Sequence, residues 1–156
     1  MVKRVLSSIW RALPGPVRRS IVRATEPHFT VAMAAVVRDE EGRILLLEHV
    51  FRPGSGWGLP GGFLAKRERL EDGIRRELRE EVGLELDGLE LAFARALVFT
   101  NQVEIVYRAT ARGEPRPRGL EISGFAWFAP DALPDGLSAD QRRILARALD
   151  ISPRID

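Results

Sequence analysis

The segment from Gly62 to Leu84 constrains the fold of this chain more than any other feature. It reads GFLAKRERLEDGIRRELREEVGL. Leu70, Ile74 and Leu78 recur every four residues, which predicts the apolar stripe of an amphipathic helix. Gly83 follows the last turn as a natural C-cap. The segment therefore predicts a loop followed by one helix that ends just before Gly83.

A cluster of carboxylates lies along the edge of this stripe, at Glu77, Glu80 and Glu81. Glu77 and Glu81 form a like-charge pair at i,i+4, which destabilises a helix by roughly 0.2–0.5 kcal/mol. Arg76 can reach Glu80, but one guanidinium cannot neutralise three carboxylates and Glu68. A hard divalent cation can, and oxygen ligands with no Cys or His nearby suit magnesium or manganese rather than zinc. The alternative is a solvated acidic helix face.

The whole segment resembles the Nudix box of the Nudix hydrolases. Every defining position of that motif is filled, by Gly62, Glu68, Arg76-Glu77-Leu78, Glu80-Glu81 and Gly83-Leu84. The preceding run, residues 57–62 (WGLPGG), predicts a strand that enters a tight loop. The resemblance implies an α/β fold, the Nudix-type α/β/α sandwich with a mixed sheet, over about residues 28–150.

The resemblance also implies roles for individual residues. The metal ligands would be the carbonyl of Gly61 and the carboxylates of Glu77, Glu80 and Glu81, with Glu68 supporting the shell. Arg76 would orient the glutamates. The general base varies among Nudix hydrolases, and we name Glu80 ahead of Glu121. Glu121 is equally well explained as an exposed charge at the entry to a strand.

Three positions depart from the usual form of the box. Arg67 stands where Gly is usual, and Ala65 stands where an acidic residue is common. Neither is a defining ligand, so we expect altered loop shape and substrate contacts, and an intact metal site. Gly73 stands inside the helix where a small Ala is usual, and this costs about 1 kcal/mol of helix propensity. Close packing of that helix face would explain the glycine.

The expected function is metal-dependent hydrolysis of a pyrophosphate bond in a nucleoside diphosphate linked to another group, with Mg²⁺ or Mn²⁺ as cofactor. Some Nudix-fold domains are ligand-sensing or protein-binding modules without hydrolase activity, and others are isomerases. Binding modules usually lack glutamates of the box. The intact run Arg76–Glu81 therefore favours hydrolysis.

Residues outside the box are less specific. Arginines in predicted loops suit phosphate oxygens, although such residues are more often solvated: Arg52, Arg116 and Arg118. We expect His49 to pack on a strand and Trp57 to lie in the core. Markers of the ADP-ribose, dinucleoside polyphosphate and coenzyme A subfamilies are missing. Oxidised nucleoside triphosphates, nucleotide sugars, other dinucleotides and capped RNA ends remain candidate substrates, and no other nucleic-acid partner is expected.

Composition sets broader bounds. The 156 residues suit one domain, residues 26–156, behind a basic leader, residues 1–25. The chain has no Cys, which excludes disulfides and zinc–thiolate sites and fits a reducing cytoplasm. No apolar run is long enough to predict a transmembrane helix, and no signal peptide is expected. The leader holds six basic residues and no acidic one, so the net charge of +2 leaves the domain at −4.

The leader has a helical pattern of its own. Its apolar residues are Val2, Val5, Leu6, Ile9, Trp10 and Leu13, and the run Pro14-Gly15-Pro16 ends the helix. A second helical turn is expected over Val17–Arg23. The favoured interpretation is packing against the domain or against the partner in a homodimer. The alternatives are a helix on a membrane surface and contact with a polyphosphate or RNA substrate.

The remainder predicts strands, loops and a final helix. The strands are Phe29–Arg38, Arg43–Val50, Leu89–Phe99, Gln102–Thr110 and Ile122–Phe128. Residues 39–42 form a hairpin signal, and Arg112–Gly119 predicts a surface loop. A short helical turn is expected at Asp131–Leu133, and Ser138 is expected to cap the last helix. A helix between strands and another at the end favour a mixed sheet covered on both faces.

Overall fold

A computed structural model describes residues 2–51 and 54–149, with only the backbone of residues 2 and 4–6. The elements are α1 (Val2–Ala12), α2 (Gly15–Thr25), β1 (Thr30–Arg38), β2 (Ile44–His49), β3 (Trp57–Gly58), β4 (Gly61–Phe63), α3 (Leu70–Val82), β5 (Glu85–Leu97), β6 (Gln102–Arg112), β7 (Ile122–Phe128) and α4 (Ala139–Ala148). None of the helices in these ranges is long and apolar enough to cross a membrane.

The strands form one mixed sheet. Its main path runs β3-β2-β1-β6-β5, with β4 paired to β1 and β7 paired to β2. β1 and β6 are parallel along their length, from Thr30 opposite Gln102 to Arg38 opposite Thr110. The other pairs are antiparallel, including the predicted hairpin β1–β2 and the pair β5–β6. The expected mixed sheet is confirmed.

Helices cover both faces of this sheet. Successive side chains of β1 point to opposite faces, so Met33, Ala35 and Val37 pack under α3 while Ala34 and Val36 pack under α4. β1 therefore has the continuous apolar run of a strand buried on both faces. The α3 cluster and the α4 cluster are separate cores, as the predicted α/β/α sandwich requires.

Most element bounds agree with the sequence, and the differences have local causes. Strand β5 begins at Glu85, four residues before the predicted start, because a bulge near Gly88 interrupts its alternation. The helical turn predicted at Asp131–Leu133 is wrong. That segment is a turn closed by the Ala132 N–H on the Ala129 carbonyl, and Pro134 cannot continue a helix. The side chain of Ser138 caps α4 by accepting from the Gln141 N–H, as predicted.

The leader forms two helices, and the second is longer than the predicted Val17–Arg23. Most of the apolar side chains that the structure describes in these two helices are exposed in the single chain. α2 buries none of its residues, and Ile9, Trp10, Val17 and Ile21 are all exposed. Packing of these residues on the domain is therefore not seen, and packing on a partner chain stays a prediction.

One ion-pair network ties α4 to the sheet. Arg95 Nε on β5 donates to Glu104 Oε2 of β6 at 2.6 Å. The Nη1 and Nη2 atoms of Arg95 donate to the two carboxylate oxygens of Asp140, at 2.8 and 2.5 Å. Arg95 and Glu104 are largely buried, while Asp140 is half exposed. The network therefore links β5, β6 and the first turn of α4.

Replacing Asp140 by Asn is expected to lower the free energy of unfolding by about 1 kcal/mol at neutral pH, a value reduced for the exposure of the carboxylate. The hydrogen bond and charge of Arg95 hold the pKa of Asp140 below its ordinary value. A lowered carboxyl pKa contributes stability above the unfolded value and loses it as the pH falls through the folded value. The difference between wild type and variant should therefore shrink as the pH falls below about 4.

Urea unfolding at several pH values measures this difference. Asp131→Asn is the control, because Asp131 is exposed in the neighbouring turn, and its effect should stay below about 0.5 kcal/mol. An Asp140→Asn difference that persists undiminished in acid would contradict an ion-pair origin.

Candidate active site

The box helix α3 begins and ends where its local sequence dictates. Glu71 and Asp72 lie in its first turn, where carboxylates interact favourably with the positive end of the helix dipole. Gly83 adopts the left-handed conformation at φ 68°, and its N–H donates to the carbonyls of Arg79 and Leu78. The predicted glycine C-cap is confirmed. The helix thus presents Ile74 and Leu78 to the core and its glutamates to the edge of the sheet.

Arg76 lies at the centre of the box carboxylates. Its Nε and Nη2 donate to the two oxygens of Glu68, at 2.8 and 3.0 Å. Its Nη1 donates to Glu77 Oε1 at 3.0 Å and to Glu80 Oε2 at 3.1 Å. Its Nη2 also donates to the carbonyl of Phe63 on β4, at 3.1 Å. One guanidinium therefore joins β4, the loop after it and α3, a bidentate geometry that lysine cannot reproduce.

The carboxylates around Arg76 differ in their proton affinity. Hydrogen bonds from Arg76, and then one from the Ala65 N–H, lower the pKa of Glu68 to about 2. Burial raises the pKa of Glu77, and the charges of Glu80 and Glu68 add to this increase, while Arg76 opposes it. Glu77 is thus a partly buried carboxylate whose negative charge is only partly compensated. A cation placed beside it would stabilise the charged form.

Two glycines let β4 approach these glutamates closely. A Cβ on Gly62 would overlap the carboxyl carbon of Glu77 and lie 2.6 Å from Glu77 Oε2. The Gly61 N–H donates to Glu81 Oε2 at 3.2 Å. The tight loop predicted at Pro-Gly-Gly is wrong, since Gly61 and Gly62 belong to strand β4 and pair with β1. Both residues are glycine because β4 lies against α3 on one side and β1 on the other.

A cleft of about 400 Å³ opens beside the box helix. Its lining residues come from α3, from the segment before β7 and from the first residue of β7: Glu77, Glu80, Glu81, Arg118, Gly119, Leu120, Glu121 and Ile122. The N–H groups of Arg116 and Arg118 donate to the carbonyls of Val82 and Glu81, both at 2.8 Å. These bonds satisfy carbonyls at the end of α3 and hold the segment over the helix terminus.

The structure brings together most of the predicted site residues. Glu121 lines the cleft with three box glutamates, and its role as metal ligand or general base stays a prediction. Arg118 also lines the cleft, whereas Arg116 is exposed and is not among the residues that line it. Arg52 lies outside the described residues. Trp57 packs in the α4 cluster, edge-on to Phe128 at 5.3 Å between ring centroids, as expected for a core residue.

A second, smaller groove contains two residues that the sequence did not single out. It is about 180 Å³ and lies along β4, where Gly61, Gly62 and Phe63 face Glu104 and Gln141. Gln141 Oε1 accepts from the Leu59 N–H at 2.9 Å, so α4 helps to position the chain that enters β4. The cap at Ser138 was the available signal, since it places Gln141 in the first turn of α4 at the sheet edge.

The donor set fits a hard divalent cation. The cleft offers carboxylate oxygens and no sulfur, as magnesium or manganese prefers. Within residues 2–51 and 54–149, no three acidic or His side chains converge closely enough to hold a metal ion as they stand, and Arg76 pairs with both Glu77 and Glu80. Glu80 is 61% exposed and lines the cleft while paired with Arg76.

Arg67 explains how the box tolerates its main departure from the usual pattern. Arg67 adopts φ 67°, in the left-handed region that favours glycine. The loop therefore keeps the conformation that a glycine would give it, at a cost of roughly 1–2 kcal/mol for a residue with a Cβ. The next residue is Glu68, so this conformation directs that carboxylate toward Arg76.

Replacing Arg67 by Gly is expected to raise the free energy of unfolding by about 1 kcal/mol, because the left-handed strain is removed. Urea unfolding of wild type and variant measures the change. Lys66→Gly is the matched control, since Lys66 is exposed one residue earlier and has no positive φ. That control should be destabilised by about 0.5–1 kcal/mol through backbone entropy. Equal destabilisation by both changes would show that Arg67 is unstrained.

Comparison with known proteins assigns the family. The NUDIX domain model matches residues 28–148. The chain belongs to the NUDIX family. A MutT-like protein of Streptomyces ambofaciens is 31% identical over 125 residues, which cover 80% of this chain and 79% of that protein. The crystal structure of a MutT NUDIX hydrolase from Burkholderia pseudomallei has a TM-score of 0.69 at 32% identity, covering 78% of this chain and 98% of that one.

A longer relative shares the same domain. The NAD-capped RNA hydrolase NudC of Chromobacterium violaceum is 37% identical over 111 residues, which cover 69% of this chain and 41% of NudC. The chain thus spans about two fifths of that relative's length. The intact box, the sandwich fold and these relatives identify the chain as a Nudix hydrolase.

Proposed function

We propose that this Nudix hydrolase cleaves the pyrophosphate bond of a nucleoside diphosphate linked to a second group, and that it requires Mg²⁺ or Mn²⁺. The observation that carries the proposal is the cleft itself. Glu77, Glu80 and Glu81 line it together with Glu121 and Arg118. Such an array of carboxylates repels a pyrophosphate unless a cation lies between them, which is why a metal is part of the proposal.

The residues divide into ligands and supports. Glu77, Glu80 and Glu81 would hold the cation, with the carbonyl of Gly61 completing the set. When bound, a divalent cation neutralises pyrophosphate oxygens and lowers the pKa of a coordinated water. Glu68 and Arg76 support the ligands, because Arg76 is fixed by two bonds to Glu68 and donates in turn to Glu77 and Glu80.

An exposed carboxylate in the cleft is proposed to accept the proton from the attacking water. Glu80 is proposed as the general base, since its side chain lines the cleft and its exposure lets it turn toward an attacking water. Glu121 is the second candidate, because it lines the same cleft outside the box. The guanidinium of Arg118 is proposed to bind a phosphate oxygen of the substrate. Arg116 and Arg52 stay predicted phosphate contacts.

The substrate class follows from the relatives only in outline. The NAD-capped RNA hydrolase among them supports keeping a capped RNA end and free dinucleotides as candidate substrates for this chain.

A cytoplasmic location is also proposed, because the candidate substrates are intracellular nucleotides and the chain has no Cys. Homodimer formation stays a prediction that sedimentation velocity tests directly.

Removing the metal is the direct test of the proposal. Hydrolysis of a panel of nucleoside diphosphate derivatives should proceed in millimolar magnesium or manganese and stop in excess EDTA, because the cleft carboxylates then repel the substrate. Adding magnesium back should restore turnover. Activity that survives exhaustive EDTA treatment would overturn metal-dependent hydrolysis.

The same panel separates the alternative function. A ligand-sensing module would bind one of these nucleotides, and with any metal ion present it would release neither phosphate nor a nucleoside monophosphate. A protein-binding module would likewise release no product. Calorimetric binding of a nucleotide with no product by chromatography would therefore favour the module. The intact glutamates at 77, 80 and 81 favour the hydrolase.

A further inference from the structure

The two helices of the leader expose apolar and basic side chains together. α1 and α2 meet at a groove of about 460 Å³ lined by Trp10, Gly15, Arg18, Arg19, Val22 and Arg23. Trp10 and Val22 are 40% and 45% exposed, and Arg19 and Arg23 are exposed beside them. An indole at the edge of a cluster of guanidinium groups combines an apolar surface with donors for phosphate.

A second apolar surface lies where the leader enters the domain. The Thr30 N–H donates to the Asn101 carbonyl at 3.0 Å, so the turn between β5 and β6 lies beside the start of β1. That turn carries Val98 and Phe99, and Phe99 is fully exposed. Phe29, which directly precedes β1, is also half exposed. Exposed apolar residues therefore lie at this end of the sheet, where the chain passes from α2 into β1.

We propose that the leader and the β5–β6 turn bind an anionic lipid surface. The leader has six basic residues and no acidic one, which complements anionic headgroups. Its apolar side chains give it the amphipathic character of a helix that lies at the interface. Each helix has 11 residues and is therefore about 16 Å long, too short to cross a hydrocarbon core of about 30 Å. The helices thus lie along the surface.

Charge argues against a second copy of the leader as the occupant. Two leaders face to face would bring together only positive charges, with no carboxylate in either to compensate them. Single-stranded RNA would satisfy the charges. It would leave the aliphatic side chains of Ile9 and Val17 in water, because a phosphate backbone buries no aliphatic surface. A lipid surface satisfies both the basic and the apolar groups.

Vesicle flotation with the full chain tests the proposal. The protein should float with phosphatidylcholine vesicles that contain phosphatidylglycerol, bind phosphatidylcholine alone much more weakly, and dissociate in part as salt is raised. Trp10 emission should shift to shorter wavelength on binding, and the Trp10→Phe variant should lose that shift. A full chain that does not float with anionic vesicles overturns the proposal.

Charge-matched variants locate the surface. Arg19→Glu with Arg23→Glu should reduce the partition coefficient by roughly a hundredfold. Arg112→Glu with Arg143→Glu makes the same change in net charge at exposed positions of the domain and should alter it by less than about threefold. Thermal unfolding confirms that both variants are folded. Equal losses of vesicle binding in the two double variants would mean that only net charge matters, and would overturn the assignment of the lipid-binding surface to the leader.

A neutral variant tests the apolar part. Phe99→Ser, in a fully exposed turn, should reduce partition roughly tenfold without lowering the melting temperature. An unchanged partition coefficient would show that the β5–β6 turn does not contact the lipid. Two other results would also overturn the proposal: a leader-dependent dimer in sedimentation velocity with no vesicle binding, or leader-dependent binding of single-stranded RNA with no vesicle binding.

Discussion

Replacing Glu80 or Glu81 by Gln is expected to lower kcat by roughly a thousandfold or more, because each change removes a negative oxygen that the proposed cation requires. The fold should persist. Glu80 is exposed, and glutamine at position 81 keeps an oxygen that can accept the Gly61 N–H. Relief of like-charge repulsion with Glu77 should leave the melting temperature of the Glu81→Gln variant equal or slightly higher.

Steady-state kinetics in saturating magnesium, together with thermal unfolding, measures both effects. Glu71→Gln is the matched control, because Glu71 is exposed on the same helix but does not line the cleft. Its kcat should remain within about twofold of wild type, since the change touches only the helix dipole. Near-normal turnover in Glu80→Gln and Glu81→Gln would show that these carboxylates are a solvated helix face.

The same kinetics distinguish the two candidate bases. If Glu80 accepts the proton, Glu121→Gln should lose much less activity than Glu80→Gln. Affinity for Mn²⁺, followed by its effect on water proton relaxation, should change in Glu80→Gln and stay unchanged in Glu121→Gln. A Glu121→Gln variant that binds Mn²⁺ normally and loses as much activity as Glu80→Gln would assign the base to Glu121.

Local features of the site were readable from the sequence. The four-residue spacing of Leu70, Ile74 and Leu78 depends only on the geometry of one helix, and the helix is present with Gly83 as its cap. The i,i+4 contact of Arg76 with Glu80 is equally local and is present at 3.1 Å. Such interactions follow from positions a few residues apart.

Contacts between residues that are distant in the sequence could not be predicted from residue spacing. The bidentate pair of Arg76 with Glu68 depends on a loop that turns at Arg67 with a positive φ, a conformation that an arginine does not signal. The place of Glu121 in the cleft depends on the segment that donates from Arg116 and Arg118 to the end of α3. No spacing rule connects residues that meet through such a segment.

The order of the strands in the sheet also could not be predicted from the sequence. The parallel pairing of β1 with β6 joins residues about seventy positions apart, and alternation reports only which face of a strand is apolar. The sequence predicted a tight loop at the glycines of β4, and it could not predict their neighbours in the fold. Gly61 lies against the backbone of β1 and Gly62 lies against Glu77. This difference between backbone and side-chain neighbours leads to opposite expectations for the two glycines.

Gly61→Ala is expected to destabilise the protein by about 3 kcal/mol or more. Gly61 has φ 153°, and an added Cβ would overlap the Met33 carbonyl oxygen and lie 2.8 Å from the Cα of Ala34. These atoms belong to the buried backbone of β1 and cannot move without breaking the β1–β4 pairing. Gly88→Ala is the control for backbone strain alone, because Gly88 has φ 58° and open space around its Cα. It should cost only about 1 kcal/mol.

Gly62→Ala should behave differently, because its neighbour is the movable carboxylate of Glu77. The side chain of Glu77 can rotate away, so the free energy of unfolding should fall by less than about 1.5 kcal/mol. The displaced carboxylate can no longer serve as a ligand, so kcat should fall at least about a hundredfold. Urea unfolding and steady-state kinetics on the three glycine variants separate stability from activity. A Gly62→Ala enzyme with normal turnover would mean that Glu77 does not need its observed position, and Glu77 would then be removed from the proposed ligands.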